Sequence, residues 1–384
     1  MSNVETHKIE SVAVNLLWLR PGGVGGTEFF TRNLLDGFMD LKEEFKLVLV
    51  CTENNADSFL HYTSDNRFSI IKVPISNLGI MNRIMWQNLH LNSFLKKRGI
   101  RKCFSPVYDK PYFNMGIEYV CVIHDIMAVH FPEYQPFHVV VYSKMIWHSD
   151  SKNKKSVATT YYSKEDIIKH FGFKDENVDV IYISIPDENK MKVEYGNVDD
   201  VEFDKTETKF GLKPNEPYFY TISQMIPNKN MTTLVKLMAL IKEKYPELPH
   251  KLLVSGISGN GTDEFDKAVA EAGVSDCVIK TGFVSNAEKV ALYKHCDKYL
   301  FASIFEGFGM TPIEAMRVGA TVVTTKCTTI PEVTQGLCNY VEDPYDLEEW
   351  VSTIKASVNR DDELDMSKYD EKLLAHQYYK LLFN

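Results

Sequence analysis

The 384-residue sequence has little that would export it, hold it in a membrane or tie it with disulfides. Its first ten residues, MSNVETHKIE, contain no apolar leader segment, and no run of 18 apolar residues occurs anywhere. Neither a classical signal nor a membrane-spanning helix is therefore expected. Seven cysteines (51, 103, 121, 277, 296, 327, 338) never fall as a Cys-x-x-Cys pair. Several sit in apolar runs (VLVC, YVCVI, SDCVI), which predicts buried, reduced thiols and a cytoplasmic setting. A positive charge balance is missing too: 43 Lys and Arg against 52 Asp and Glu leave a net charge of −9. That argues against a nucleic-acid partner and against a membrane grip by charge alone. Repeats and low-complexity tracts are also missing.

What the chain does have is ordinary globular composition, 44% hydrophobic and 25% charged. Its length exceeds one ordinary core and suggests two domains. In the first half, short β-branched runs at 11–19, 46–51, 67–73, 119–123 and 156–162 read as strands, with helices at 27–40, 82–98 and 163–171. The pattern restarts at 217–223, with further strands at 251–256, 277–282, 298–303 and 321–325 and helices at 231–245, 263–272, 286–296 and 312–319. Continuous apolar strands between helices indicate parallel sheets covered on both faces. The expected fold class is α/β, with two Rossmann-like, doubly wound domains whose strand ends meet a shared cleft. The acidic, weakly periodic stretch 187–217 reads as the linker, and 366–384 as a final helix. The boundaries adopted are 1–200, 201–365 and 366–384.

Four stretches at predicted strand ends carry chemistry. LRPGGVGGTEFF (19–30) follows the first strand; its glycines let backbone N–H groups approach an anion, and Thr27 is placed to cap a helix. No Lys-Ser/Thr follows, so it is not a P-loop. Gly23-x-Gly25 is followed by Glu28 where a dinucleotide fingerprint needs glycine, yet Glu53 at the next strand end keeps a nicotinamide site open. A plain glycine turn would read the same way. VIHDIMAVHFPEY (122–134) puts His124 and Asp125 at the end of a buried strand, whereas His130, before Pro132, has no comparable placement. No His, Cys or acid stands at metal-ligand spacing from them, and no metal site is expected.

In SQMIPNKNMTTL (223–234), Lys229 can meet a diphosphate as a point charge, although a surface lysine is the plainer reading. In FEGFGMTPIEAMRVGA (305–320), Pro312 suits a first helical turn and Thr311 with Glu314 matches a capping box. That box leaves Glu306, on the glycine-rich loop, unexplained.

EGFGMTPIEAMRVGATVV resembles the Glu-x7-Glu signature of retaining, nucleotide-sugar-dependent glycosyltransferases of the GT-B fold, family four, which includes many mannosyltransferases of surface-polysaccharide synthesis. GGVGGTEFF, VIHDIMAVHFPEY, IPNKNMTTL and TGFVSNAEKVALYKHCDKYLFAS resemble that family's other segments, in its order, and the terminal helix resembles the one that crosses back to the first domain. The resemblance implies backbone contacts from Gly25 and Gly26, His124 against the donor sugar, and Lys229 on the diphosphate. It implies sugar hydroxyls on Glu306, donor contacts around Phe308, Gly309, Met310 and Thr311, and ribose hydroxyls on Glu314. Val284, Asn286 and Lys289 match positions near the base, and Ser223 and Asn228 fall in the donor loop. Ser223 stands where glycine is common and Asn228 replaces the basic residue often found beside Lys229, so fewer charges are left for the diphosphate.

The donor implied is a nucleotide-diphosphate sugar, with GDP-mannose favoured and a UDP-sugar open, and no other cofactor. The acceptor implied is a saccharide or lipid-linked saccharide, bound by the first domain. The resemblance also implies front-face transfer with retention, whereas two carboxylates alone would equally fit a hydrolase's acid and nucleophile. The stretch 135–155 mixes aromatics with a basic cluster; it reads as a core helix with a solvated end or as a peripheral contact with the membrane's inner face. An NAD-dependent oxidoreductase and a non-catalytic nucleotide-sugar-binding protein remain as alternatives.

Overall fold

The computed structural model describes residues 10–23, 25–76, 78–185, 208–213, 215–360 and 363–384. Most of the linker expected at 187–217 lies outside them. The chain divides into two compact units, one of residues 1–186 with 367–384 and one of 187–366.

The first unit holds a parallel sheet of β1 (Ser11–Asn15), β2 (Lys46–Thr52), β3 (Phe68–Val73), β4 (Lys102–Ser105), β5 (Glu118–Ile123), β6 (Lys155–Ala158) and β7 (Val178–Val180). Its strand order is β3-β2-β1-β4-β5-β6-β7. Val12 pairs with Leu47 on one side and Lys102 on the other. Runs such as KLVLVCT are buried from their second residue onward, as a sheet covered on both faces demands. Two strands were not expected: β4 and β7 are four and three residues long, too short to show a period, and pairing with neighbours makes them strands.

The run at 156–162 is shorter than expected. After Ala158 the chain leaves the sheet, and Thr160 Oγ1 accepts the Ser163 N–H at 3.0 Å, starting helix Tyr161–Phe171. The helical run from 80 to 96 is continuous but widens to a π-turn at Gln87–Leu91. Helix Glu371–Phe383 packs on helix Gly26–Asp40, where a Cβ on Gly37 would lie 2.8 Å from Ala375 Cβ. Tyr378 meets Phe104 edge-on at 5.4 Å, and Lys102 Nζ donates to the Leu382 carbonyl at 2.8 Å.

The second unit repeats the plan with β8 (Tyr218–Ile222), β9 (Lys251–Ser255), β10 (Val278–Gly282), β11 (Lys298–Phe301), β12 (Val322–Thr325) and β13 (Asn339–Val341), in order β10-β9-β8-β11-β12-β13. All its pairings are parallel. Its core gathers Leu234, Leu237, Leu252, Leu300 and Trp350, all buried; truncating one such leucine to alanine costs about 2–5 kcal/mol. The seven cysteines form no disulfide; six are buried and Cys327 is half-buried. In each sheet the strand order reverses beside its first strand, and ligands of open α/β sheets settle outside the carboxyl ends at that point.

Candidate functional site

In the second unit the reversal falls between β8 and β11. β8 leads into a turn of 3-10 helix, Pro227–Lys229, and then into helix Met231–Lys244. Asn228 is buried. Its Nδ2 donates to the Phe305 carbonyl at 3.0 Å, and its own carbonyl accepts Ile304 N at 2.9 Å and Ser303 Oγ at 3.0 Å. These bonds strap the loop after β8 to the loop after β11. The strap brings Lys229 Nζ to 2.5 Å from Glu306 Oε1, with both side chains under one-fifth exposed.

Glu306 is held by its backbone as well. Its N–H donates to Thr328 Oγ1 at 3.1 Å, and its carbonyl accepts from Thr329 Oγ1 at 3.3 Å. Thr328 sits at φ 50°, which costs a β-branched residue on the order of 1 kcal/mol. Sequence reading gave no hint of this brace, because it depends on a loop 22 residues further on.

Gly309, at φ 87°, is the N-cap of helix Met310–Arg317, and no side chain caps it. The capping box expected of Thr311 and Glu314 is therefore not formed. A left-handed glycine starts the helix early, so Thr311 becomes its second residue and Pro312 its third. The amides of Met310 and Thr311 have no intrahelical partner and lie at the positive end of the helix. Glu314 is drawn instead to helix Asn286–His295, where its Oε2 takes Lys289 Nζ at 3.0 Å and Tyr293 OH at 3.4 Å. A capping box does form at that helix: Ser285 Oγ accepts the Glu288 N–H at 3.2 Å, and Ser285 N donates to Glu288 Oε2 at 2.8 Å.

Just before it, Val284 is buried, Asn286 is exposed, and Phe283 is 79% exposed. Phe283 was missed, although an aromatic after glycine in a polar loop (TGFVSN) was there to find. Ser223 Oγ donates to the Gln224 carbonyl at 2.9 Å, so its hydroxyl serves the loop itself. Phe308 is buried, its carbonyl accepting from Thr329 Oγ1 at 3.0 Å. Two lysine–carboxylate pairs thus flank the N-terminus of one helix: cations for an anion, and carboxylates to accept hydroxyls.

The first unit's strand ends differ. Gly25, at φ 59° and ψ −129°, is the N-cap of helix Gly26–Asp40, with no side-chain cap. Thr27 does not cap the helix, because the helix begins one residue before it. Val24 of the same loop lies outside the described residues. Glu28 turns back on the loop: it accepts Gly22 N at 2.8 Å and Arg32 Nε at 2.9 Å, so one loop amide is met by the chain's own carboxylate.

His124 follows β5. Its Nε2–H donates to the Pro106 carbonyl at 2.9 Å, and Phe30 packs edge-on at 5.0 Å. Burial lowers its pKa to about 4, so the ring is neutral near pH 7 with Nδ1 unprotonated. Asp125 Oδ1 accepts the Met127 N–H at 2.9 Å and shapes the turn after the strand. His130, set aside in sequence reading, meets Asp166 at 2.7 Å, and His170 meets Asp166 at 3.1 Å. These three donor groups lie within 4.8 Å, a metal-capable grouping that sequence spacing did not reveal. His130 Nε2 hydrogen-bonds Asp166 Oδ2, whereas His170 Nδ1 donates to the Asp166 backbone carbonyl at 2.9 Å.

Residues 202–372 match the family model described as glycosyl transferases group 1. The serotype-specific mannosyltransferase WbdA of Escherichia coli is 29% identical over 121 residues, 31% of this chain and 15% of that protein. The match thus spans a small part of WbdA's length. The O-antigen chain mannosyltransferase RfbU of Salmonella typhimurium is 28% identical over 61% of this chain and 59% of its own. Among solved structures, Anabaena HepE in complex with UDP and glucose aligns over 98% of this chain and 96% of its own, with a TM-score of 0.66 at 16% identity. The fold is therefore the GT-B fold of glycosyltransferases, two Rossmann-like parallel sheets with flanking helices. The region of residues 202–372 that matches the glycosyl transferases group 1 model contains the Lys229–Glu306 and Lys289–Glu314 pairs.

Proposed function

We propose that the protein is a retaining hexosyltransferase that moves a sugar, mannose from GDP-mannose in the favoured case, to a saccharide or lipid-linked saccharide acceptor. The observation that carries this reading is the Lys229–Glu306 pair beside the amides that open helix Met310–Arg317. In this reading a donor diphosphate displaces Glu306 from Lys229 and takes the ammonium and the amides of Met310 and Thr311 as its partners. Glu306, freed of its lysine, accepts hydroxyls of the donor sugar. As the bond from the anomeric carbon to the leaving oxygen breaks, the added negative charge on the diphosphate meets the same preset donors. The reading gives this charge to Lys229 and backbone amides rather than to a metal ion.

Glu314 accepts ribose hydroxyls, and the exposed Phe283 ring with Val284 and Asn286 offers a surface for the base. Gly25, Gly26 and His124 keep their proposed roles against the substrate, His124 as a neutral imidazole. Front-face attack, with the leaving phosphate taking the acceptor hydroxyl's proton, gives retention. The preference for mannose rests on the names of WbdA and RfbU; HepE's UDP and glucose keep a UDP-sugar in play. Among the described residues no helix is long and apolar enough to cross a membrane, and the reading places the work on the cytoplasmic side.

A thermal-shift series with GDP-mannose, UDP-glucose and NAD tests the donor. GDP-mannose is expected to raise the melting temperature most. A rise with NAD alone, or with no nucleotide-sugar, would overturn the proposal.

A further inference from the structure

Three residues that the transferase chemistry leaves unused meet within the first unit. Helix Tyr161–Phe171 places Asp166 and His170 on one face, at i and i+4. The short helix Met127–His130 ends on His130, whose Nε2 lies 2.7 Å from Asp166 Oδ2. His170 Nδ1 lies 3.1 Å from the other carboxylate oxygen, and the two imidazoles meet edge to face at 5.1 Å. Among the described residues this is the one group of three imidazole, thiol or carboxylate donors that closes to within 4.8 Å. His250 with Asp297 and His376 with Glu43 bring together one imidazole and one carboxylate each.

Packing, rather than the three groups themselves, fixes the backbone that carries them. Ala128 of the short helix and Ile167 of the long one are buried in one core with Ile126, Ala158 and Phe173. Thr159 Oγ1 and Ser163 Oγ both donate to the His124 carbonyl, at 3.2 and 3.1 Å. Those bonds tie the start of helix Tyr161–Phe171 to the residue that follows β5. The donors converge at the rim of that core, the Asp166 side chain 10% exposed and each imidazole 28%. Preset, partly exposed ligands of this kind can take an ion from solvent without rebuilding the fold.

Their chemistry selects the ion. Two imidazoles with one carboxylate suit zinc, whereas calcium and magnesium take shells of oxygen. Bonds of about 2.0 Å to a tetrahedral ion put neighbouring donors about 3.3 Å apart. The contacts of 2.7 and 3.1 Å need widen only slightly to reach that spacing. Each ring then turns an unprotonated nitrogen to the ion and keeps its proton on the other. His170 gives up its bond to the Asp166 backbone carbonyl, which the helix ladder also serves.

We propose that His130, Asp166 and His170 form a binding site for one zinc ion, with water completing the shell. Bound there, the ion cross-braces helix Met127–His130 to helix Tyr161–Phe171, and with it the segment that leads out of His124. The site stands independently of the donor assignment, because no residue assigned to the donor is a ligand.

Calorimetric titration of the full chain with zinc chloride, after chelator treatment and dialysis and without any sugar donor, tests it. Wild type is expected to bind one ion that the variants below lose. A roughly hundredfold excess over the dissociation constant should raise the melting temperature by about 5 °C. Cobalt(II) in place of zinc should give the intense visible absorption of a four-coordinate site, which a lone surface imidazole does not produce. His130→Gln, Asp166→Asn and His170→Gln should each weaken zinc binding on the order of a hundredfold or more, since losing even a group that orients a ligand costs roughly tenfold to a hundredfold. Their circular dichroism without metal should match wild type, which separates loss of the ion from loss of the fold. His376→Gln, at the two-group contact with Glu43, should bind zinc as wild type does. Wild type that takes up no ion, cobalt with only the weak absorption of a six-coordinate ion, or ligand variants that bind as wild type does would overturn the proposal. An equal loss in His376→Gln would assign the ion to scattered surface histidines and overturn it as well.

Discussion

At the end of β8 the chain holds a lysine against a glutamate from the end of β11; at the matching end of β1 it holds a glycine turn closed on its own Glu28. The two sheets share strand order up to their sixth strands, so topology does not separate these places. Charge does. Beside helix Met310–Arg317 the second unit keeps two Lys–carboxylate pairs, Lys229–Glu306 and Lys289–Glu314, partly open to solvent. Among the first unit's Lys–carboxylate pairs, Lys110 with Asp150 at 3.4 Å stands apart in that both side chains are fully buried. Lys110 spends its remaining donors on Asn114 Oδ1 at 2.9 Å and Ser149 Oγ at 2.7 Å. Where the pair is accessible it is available for chemistry, and where it is sealed it holds a loop in place. Strand order positions a ligand site; solvent access to its charges decides whether it can be used.

Four substitutions would break or sharpen this contrast, in order of effect. Glu306→Ala should lower transfer by about a thousandfold with an unchanged circular dichroism spectrum. Retained turnover would remove Glu306 from the reaction. Lys110→Met should cost about 3–5 kcal/mol of stability, measured by denaturant unfolding, because it strands a buried carboxylate. Burial pushes the Asp150 pKa up to about 6, with Lys110 the largest opposing influence. Losing Lys110 raises it further, so the damage should be milder at pH 5, where the carboxyl can take a proton, than at pH 8. An equal loss at both pH values would show that Asp150 bears no charge to strand.

His124→Gln probes the neutral imidazole. Because its folded pKa, about 4, lies below the unfolded value of 6.5, the unfolded chain binds more protons between those values. Wild-type stability should therefore fall on acidification from pH 6.5 toward 4, and the variant should lose on the order of 1–2 kcal/mol less across that window. Parallel melting curves for the two proteins would contradict the burial argument. Smallest of the four, Glu314→Gln should raise the donor KM about tenfold with kcat little changed, since hydroxyl binding by that carboxylate is common to ground and transition states. A loss confined to kcat would move Glu314 into the chemical step.

Much of this was legible beforehand for physical reasons. Buried parallel strands need continuous apolar residues, so runs such as KLVLVC and KLLVSG declare themselves from local sequence. Strand β4, with Lys102 at its start and four residues in all, declares nothing by itself. The placement of Lys229, Glu306 and Glu314 in loops or helix starts that follow strands was legible, because turn and helix-start residues mark those positions locally. Thr328 and Tyr293 were not, since their contacts with Glu306 and Glu314 span 22 and 21 residues. The capping box was misplaced because its pattern matches at Thr311, while the left-handed Gly309 sets where the helix starts.

By itself, then, the sequence determined the two α/β units and the types of residue placed at their strand ends, because periodicity and turn chemistry act over a few residues. Only the tertiary structure decided which charge faces which, Lys229 with Glu306 and Lys289 with Glu314, which lysine is sealed with Asp150, and which two histidines meet at Asp166. Those outcomes depend on contacts between distant segments and on solvent access, which emerge when the sheets and helices pack.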